Sequence, residues 1–286
     1  MLGPILGVLF DGLAYGMLLF LLSVGLSVTL GMMNFINLAH CAFAMLGGYV
    51  TIALGALGWP FLATLPLAFL AAAAASVVFE RTLYRRLYRA AELDQVLLTI
   101  GLAFMSVAVA AYFFGTVQQP VEMPPYFRGS IDMMGVTLGR YRLFLVATGL
   151  IVALCLVLAL EHTRFGAIVR AAVDNQRMAR GLGINVESWF AVTFALGSGL
   201  AGLGGALAIE IVGLDPQFAF TYLVYVLIVV SVGGLGSIGG SFAAAMAIGI
   251  SDIAGKYYFP ALGSFLIYLV MVAVLMWRPA GLFGRR

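Results

Sequence analysis

Apolar residues dominate nine stretches of the chain, at 5–30, 41–57, 61–79, 96–117, 143–160, 189–211, 219–232, 241–255 and 262–277. A bilayer core about 30 Å thick takes about 20 residues of helix to cross, and stretches of that scale recur from end to end. Segments such as AFLAAAAASVVF (68–79) are apolar on every face, which excludes the alternation of an outer-membrane strand and leaves helices as the spanning elements. The pattern predicts an all-α, polytopic transmembrane helical bundle of eight or nine spans, some of them broken, in a single domain over 1–286. The opening MLGPILGVLFDG has no basic leader and carries Asp11 where a cleaved signal is apolar, so it is expected to stay as the first span.

Composition agrees, with 63% hydrophobic and 9% charged residues and a mean hydropathy of +1.10. Cys41 and Cys155 sit in or beside spans without metal-like spacing and are read as small buried hydrophobes. The net charge of +3 comes from arginines in short connections, so it reports orientation and not nucleic-acid binding. Three groups are predicted to face the cytoplasm: Arg81, Arg85, Arg86 and Arg89; Arg164, Arg170, Arg177 and Arg180; and Arg278, Arg285 and Arg286. The proline-bearing segment 118–140 reads as an external loop. Counting back places 57–60 outside and the Gly31 region toward the inside. The N-terminus is then external if the first span crosses fully, and a re-entrant segment at Gly31 would reverse that step.

Two stretches interrupt the apolar pattern, GMMNFINLAH (31–40) and GGLGSIGG (233–240). Paired breaks in two halves resemble a weak internal repeat, and broken helices in a membrane line protein or water. Asn34, Asn37 and His40, with Gly233, Gly234, Gly236, Gly239 and Gly240, are therefore candidates for a solute path. The competing account is a turn in which an asparagine caps a helix and His40 bonds a carbonyl. Gly234, Gly236 and Gly239 also match GxGxxG, but no strand precedes them and no acid follows at the right spacing, so a dinucleotide site is excluded.

No GxxxxGK[ST] occurs, and the single lysine, Lys256, falls on an expected external turn. HExxH, GxSxG and metal-ligating clusters are absent too, which argues against an enzyme and against a metal site. Asp11, Glu80, Glu161, Glu210, Asp215 and Asp252 are expected near span ends, wetted at the interface; a self-contained ion-coupled carrier or channel is the rival class. ALGSGLAGLGGALA (195–208) spaces small residues four apart for close helix packing, within this chain or against a partner.

The segment 161–186 is the longest cytoplasmic connection. Phe165, Ile168 and Ala172 share one helical face, Asp174 stands between Arg170 and Arg177, and Gly181 and Gly183 act as stops, which predicts a short amphipathic helix. It either lies on the membrane surface or docks a cytosolic partner.

Three ordered motifs, GLAYGMLLFLLSVGLSVTLGMMNFINLAH, TRFGAIVRAAVDNQRMARGLGINV and GGLGSIGGSFAAAMAIG with RPAGLFG after it, give the chain a resemblance to LivH-type permease subunits of branched-chain amino acid ABC importers, in the hydrophobic amino acid uptake family. The resemblance implies a bacterial inner-membrane complex with a second related permease, two cytosolic ATPase subunits that hold ATP and Mg, and a periplasmic solute-binding protein. It implies no cofactor in this chain. It also makes the middle segment a coupling loop that contacts the ATPase through Arg170, Ala171, Ala172, Asp174, Asn175, Ala179, Gly181 and Gly183. The family's glycine after the histidine is replaced by Cys41, so Asn37 and His40 carry over but that hinge does not. Relatives moving urea, amides and aromatic acids leave the solute open.

Overall fold

The structure is a computed structural model that describes residues 2–33, 35–88, 90–119, 121, 123–133 and 136–284. Asn34, Arg89, Arg285, Arg286 and the side chain of Asp174 lie outside the described set.

The chain begins with α1 (Leu2–Met33), a non-helical link over 35–39, α2 (His40–Ala56) and α3 (Phe61–Phe79). A π turn (Glu80–Tyr84) carries α3 into the short α4 (Arg85–Leu87), followed by α5 (Glu92–Phe114) with Glu92 and Asp94 in its positive first turn. A hairpin of β1 (Ser130–Met133) and β2 (Val136–Gly139), in register Ser130↔Gly139, precedes α6 (Arg140–His162). Next come α7 (Arg164–Asp174), α8 (Gln176–Gly181), α9 (Val186–Val212), α10 (Phe218–Gly233), α11 (Ile238–Tyr258) and α12 (Gly263–Trp277). Among the described residues six helices are long and apolar enough to cross a membrane, and three apolar ones (in α2, α10 and α12) are shorter. The fold is thus the expected polytopic helical bundle, and the hairpin is a small addition inside the loop expected over 118–140.

The middle of α1 runs through the interior. Leu18, Leu19, Phe20, Leu21 and Leu22 are all fully buried, as a helix apolar on every face must be. It packs antiparallel to α11, with Gly12 on Ile250, Gly16 on Ala245 and Gly31 on Gly236. The small-residue stripe of α9 serves packing within the chain: Gly197 meets Gly25 of α1, Gly202 meets Gly47 of α2 and Ala72 of α3, and Gly205 meets the Ala44 carbonyl.

The helices fall into two interlocked halves. α1 packs on α11 as α9 packs on α3, and α2 packs on α9 as α10 packs on α1. In this arrangement the counterpart of the 35–39 link is the connection between α9 and α10, because each follows the long central helix of its half. This corrects the pairing read from sequence, since the breaks at 31–40 and 233–240 touch through Gly31 and Gly236 but do not correspond.

A second correction concerns the carboxylates. Glu80 and Asp252 are buried at 2% and 0% exposure, not wetted, and each has a neighbour that bonds one of its oxygens: the Tyr88 hydroxyl donates to Glu80 Oε1 at 2.9 Å, and Lys256 Nζ to Asp252 Oδ2 at 2.6 Å. Lys256 belongs to the last turn of α11 and not to a loop. Asp11 pairs with Arg142 across α1 and α6.

Gly205→Leu should therefore abolish the tight α2–α9 contact, since even a Cβ at this position overlaps the Ala44 carbonyl. Overpacking of this kind costs about 1–3 kcal/mol or more. The expected outcome is a lowered melting temperature of the purified protein in detergent; an unchanged one would refute the close approach.

Candidate functional site

The link over 35–39 is non-helical backbone inside the protein, and α5 supplies what water cannot. Gln95 Oε1 accepts from Ile36 N at 3.2 Å, and the Thr99 hydroxyl lies 3.5 Å from Ile36 O. Phe35 anchors the link between Tyr84 and Tyr88, at 5.2 and 5.5 Å between ring centroids. Asn37 Oδ1 accepts from Ala39 N at 3.1 Å, closing the turn that starts α2, and His40 Nε2 lies 3.0 Å from Leu22 O. Both side chains are buried, and Asn37 Nδ2 has no partner in the described structure. The hydrogen bonds are those of a helix-starting turn, with one amide donor left over.

The glycine turn lies beside this region through the Gly31–Gly236 contact. Gly234 and Gly236 take φ of 95° and 78°, conformations that end α10 and turn the chain before Ser237 caps α11 by accepting from Gly240 N at 3.0 Å. Gly233 packs on Gly240, whereas Gly239 stands exposed, with open space where a side chain would be. The RPAGLFG segment clasps the turn: Leu282 N donates to Val232 O at 2.8 Å and Phe283 N to Gly233 O at 3.1 Å. The sequence singled out both ends of this clasp without linking them.

The middle segment forms two helices, where one had been expected. Thr163 caps α7, and Asn175 breaks the helix by accepting from Met178 N at 2.9 Å, which starts α8. Gly183, with φ of 83°, ends the second helix, and Asn185 caps α9. Ala172 and Ala179 are buried with Val186 and Phe190 of the chain itself. Phe165 packs tilted against Trp189, 5.6 Å between ring centroids, and Arg170 donates to the Leu160 carbonyl at the end of α6. Phe165 and the buried Ala172 thus hold α7 to α9, so Ala172 is not an outward docking position as its spacing had implied. What points outward is Met178 and Leu182, at 64% and 75% exposure. Their i, i+4 spacing was the available signal, and the alanine face nearer the start of the segment obscured it.

These helices lie where the arginines gather. Arg85, following the π turn, pairs with Glu187 of α9, and Arg180 of α8 approaches the same carboxylate at 4.0 Å. Arg85, Arg86, Tyr88, Gln176 and Arg180 line a cavity of about 290 Å³ there.

Residues 8–275 match the family model described as the branched-chain amino acid transport system permease component. The chain belongs to that permease family. The permease is 28% identical to the high-affinity branched-chain amino acid transport system permease protein BraD of Pseudomonas aeruginosa, over 97% of this chain and 95% of the relative. It is 25% identical to LivH of Escherichia coli K12 over 97% and 94%, and 27% identical to a probable LivH of Methanocaldococcus jannaschii over 97% and 92%. The matches favour a permease component over a self-contained ion-coupled carrier.

Ala172→Arg should expel α7 from its seat on α9 and render 163–183 sensitive to limited proteolysis, while Met178→Asp, on the outer face, leaves protease resistance unchanged. Equal digestion of both variants would contradict the burial of Ala172.

Proposed function

We propose that this permease is the membrane subunit of an ABC importer in the inner membrane of a bacterium. It pairs with a related permease to form the path for branched-chain or other small amino acids or amides. Two cytosolic ATPase subunits would hold ATP and Mg, and a periplasmic solute-binding protein would deliver the solute. The observation that carries this reading is the α7–α8 pair, fixed to α9 by its buried face and presenting Met178 and Leu182 on the arginine-rich face. By the positive-inside rule that face is cytoplasmic, where an ATPase can reach it. A rigid helix pair tied to a central span transmits displacement, and the ion pairs around it are too exposed to account for it as a stability device.

In this reading the outward apolar pair enters a groove on the ATPase. Asn37, His40 and the glycine turn are the moving parts of the path, supported by the contact of the glycine turn with α1 at Gly31, by the approach of His40 to the Leu22 carbonyl of α1 and by the spare Asn37 amide.

Reconstitution into liposomes tests this directly. The permease alone should give no accumulation; with its partner permease, ATPases and binding protein it should give ATP-dependent uptake. Accumulation driven by an ion gradient without ATPases would overturn it. Within the complex, Met178→Asp with Leu182→Asp should abolish ATPase co-purification. His40→Leu and Asn37→Leu should keep assembly and lower uptake at least several-fold. Normal uptake with weakened assembly in the latter pair would restrict them to a turn-forming role.

A further inference from the structure

Opposite the arginine-rich face, the outer part of the bundle holds an ionisable residue that none of the above uses. Asp252 lies in the membrane-spanning α11 at 0% exposure. Its Oδ2 accepts from Lys256 Nζ at 2.6 Å, and its Oδ1 is buried with no partner in the described structure. Tyrosines from two other helices lie near the pair: Tyr15 of α1, with Lys256 Nζ 5.9 Å from its ring centroid, and Tyr222 and Tyr225 of α10, whose own centroids are 5.7 Å apart. Asp252 is close enough to all three tyrosines to act on them electrostatically.

A carboxylate at this depth is costly and needs a cation, and the free oxygen leaves its accepting capacity unfilled. The cation now present is a tethered primary ammonium. Its side chain is 48% exposed, so the four-carbon stem can swing away from the carboxylate. A free ammonium group taking its place conserves the local charge, and with three donors it can reach Oδ1 as well as Oδ2. Aromatic faces favour such an organic cation, whereas a sodium ion asks for a cage of oxygens.

We propose that Asp252, with Tyr15, Tyr222 and Tyr225, forms a subsite for the ammonium group of a small amine-bearing solute, and that Lys256 is its intramolecular occupant until solute displaces it. This rests on the transport reading for its purpose but not for its test. The subsite discriminates amino acids from amides and ureas that lack an ammonium group.

Lys256 is the only lysine in the chain, so reductive methylation with carbon-13 formaldehyde gives one side-chain reporter resonance, distinct from that of the terminal amine. With the permease alone in lipid nanodiscs, leucinamide and leucine should shift this resonance saturably. Isocaproamide, which has the same carbon skeleton without the amine, and sodium chloride should not. No shift with either ammonium compound, or an equal shift with isocaproamide or sodium, overturns the proposal. Asp252→Asn should remove the response. Because that variant can fold poorly, Lys256→Gln provides a second arm: with the competitor gone, leucinamide should raise the melting temperature more than in the wild type, and a smaller or absent rise is a refutation. Failure of ATP-driven uptake would leave both measurements standing, and failure here would leave the importer reading intact.

Discussion

Hydrocarbon offers no hydrogen bonds, and the architecture follows from where this chain departs from helix. The 35–39 link survives inside the bundle because Gln95 and Thr99 of α5 stand in for water at Ile36. The turn between α10 and α11 survives because 282 and 283 donate to Val232 and Gly233. Each irregular stretch has thereby recruited a distant segment, and these obligations fix which helices stand side by side. α6, by contrast, lies at the periphery, with only 11% of its most apolar stretch buried within the chain.

Close backbone approach is the second condition. α1 can occupy the centre because Gly25 and Gly31 admit Gly197 and Gly236, and α9 reaches α2 and α3 through Gly202 and Gly205. Dispersion between such closely fitted surfaces holds the helices together where lipid supplies no hydrophobic drive. The segment over 163–185 uses water-soluble logic instead, with caps at Thr163, Asn175 and Asn185 and an alanine face against α9. The two regimes meet at Glu187, which serves Arg85 and Arg180 together.

The helical class, the positions of the nine apolar segments and both interruptions were legible in the sequence, because uninterrupted apolarity and glycine clusters are local signals. Phe61–Phe79 matched its predicted bounds, while α6 and α11 ran several residues past theirs into polar positions that helical hydrogen bonding still accommodates. The split between α7 and α8 was hidden because Asn175 reads equally as a helix residue and as a cap. The inward orientation of Ala172 was hidden because an amphipathic face does not say which surface it meets. Asp252 looked wetted because one-dimensional distance from a span end says nothing about tyrosines arriving from α1 and α10. His40 bonds a carbonyl eighteen residues earlier in the chain, a contact that only the antiparallel return of the chain creates.

The wide turn at Glu80–Tyr84 gives the chain one place that absorbs a change of length. A π turn holds one residue more than the α-helical turn it replaces. Deleting a single residue there would let Phe61–Leu87 wind as one regular helix while leaving the helix beyond it facing nearly as before. Deleting one from the α-helical stretch ahead of it would instead turn everything beyond by about 100°, swinging Arg85 off Glu187 and Tyr84 and Tyr88 off Phe35. Among related sequences, a one-residue gap in this neighbourhood should fall at the wide turn and not within Phe61–Phe79.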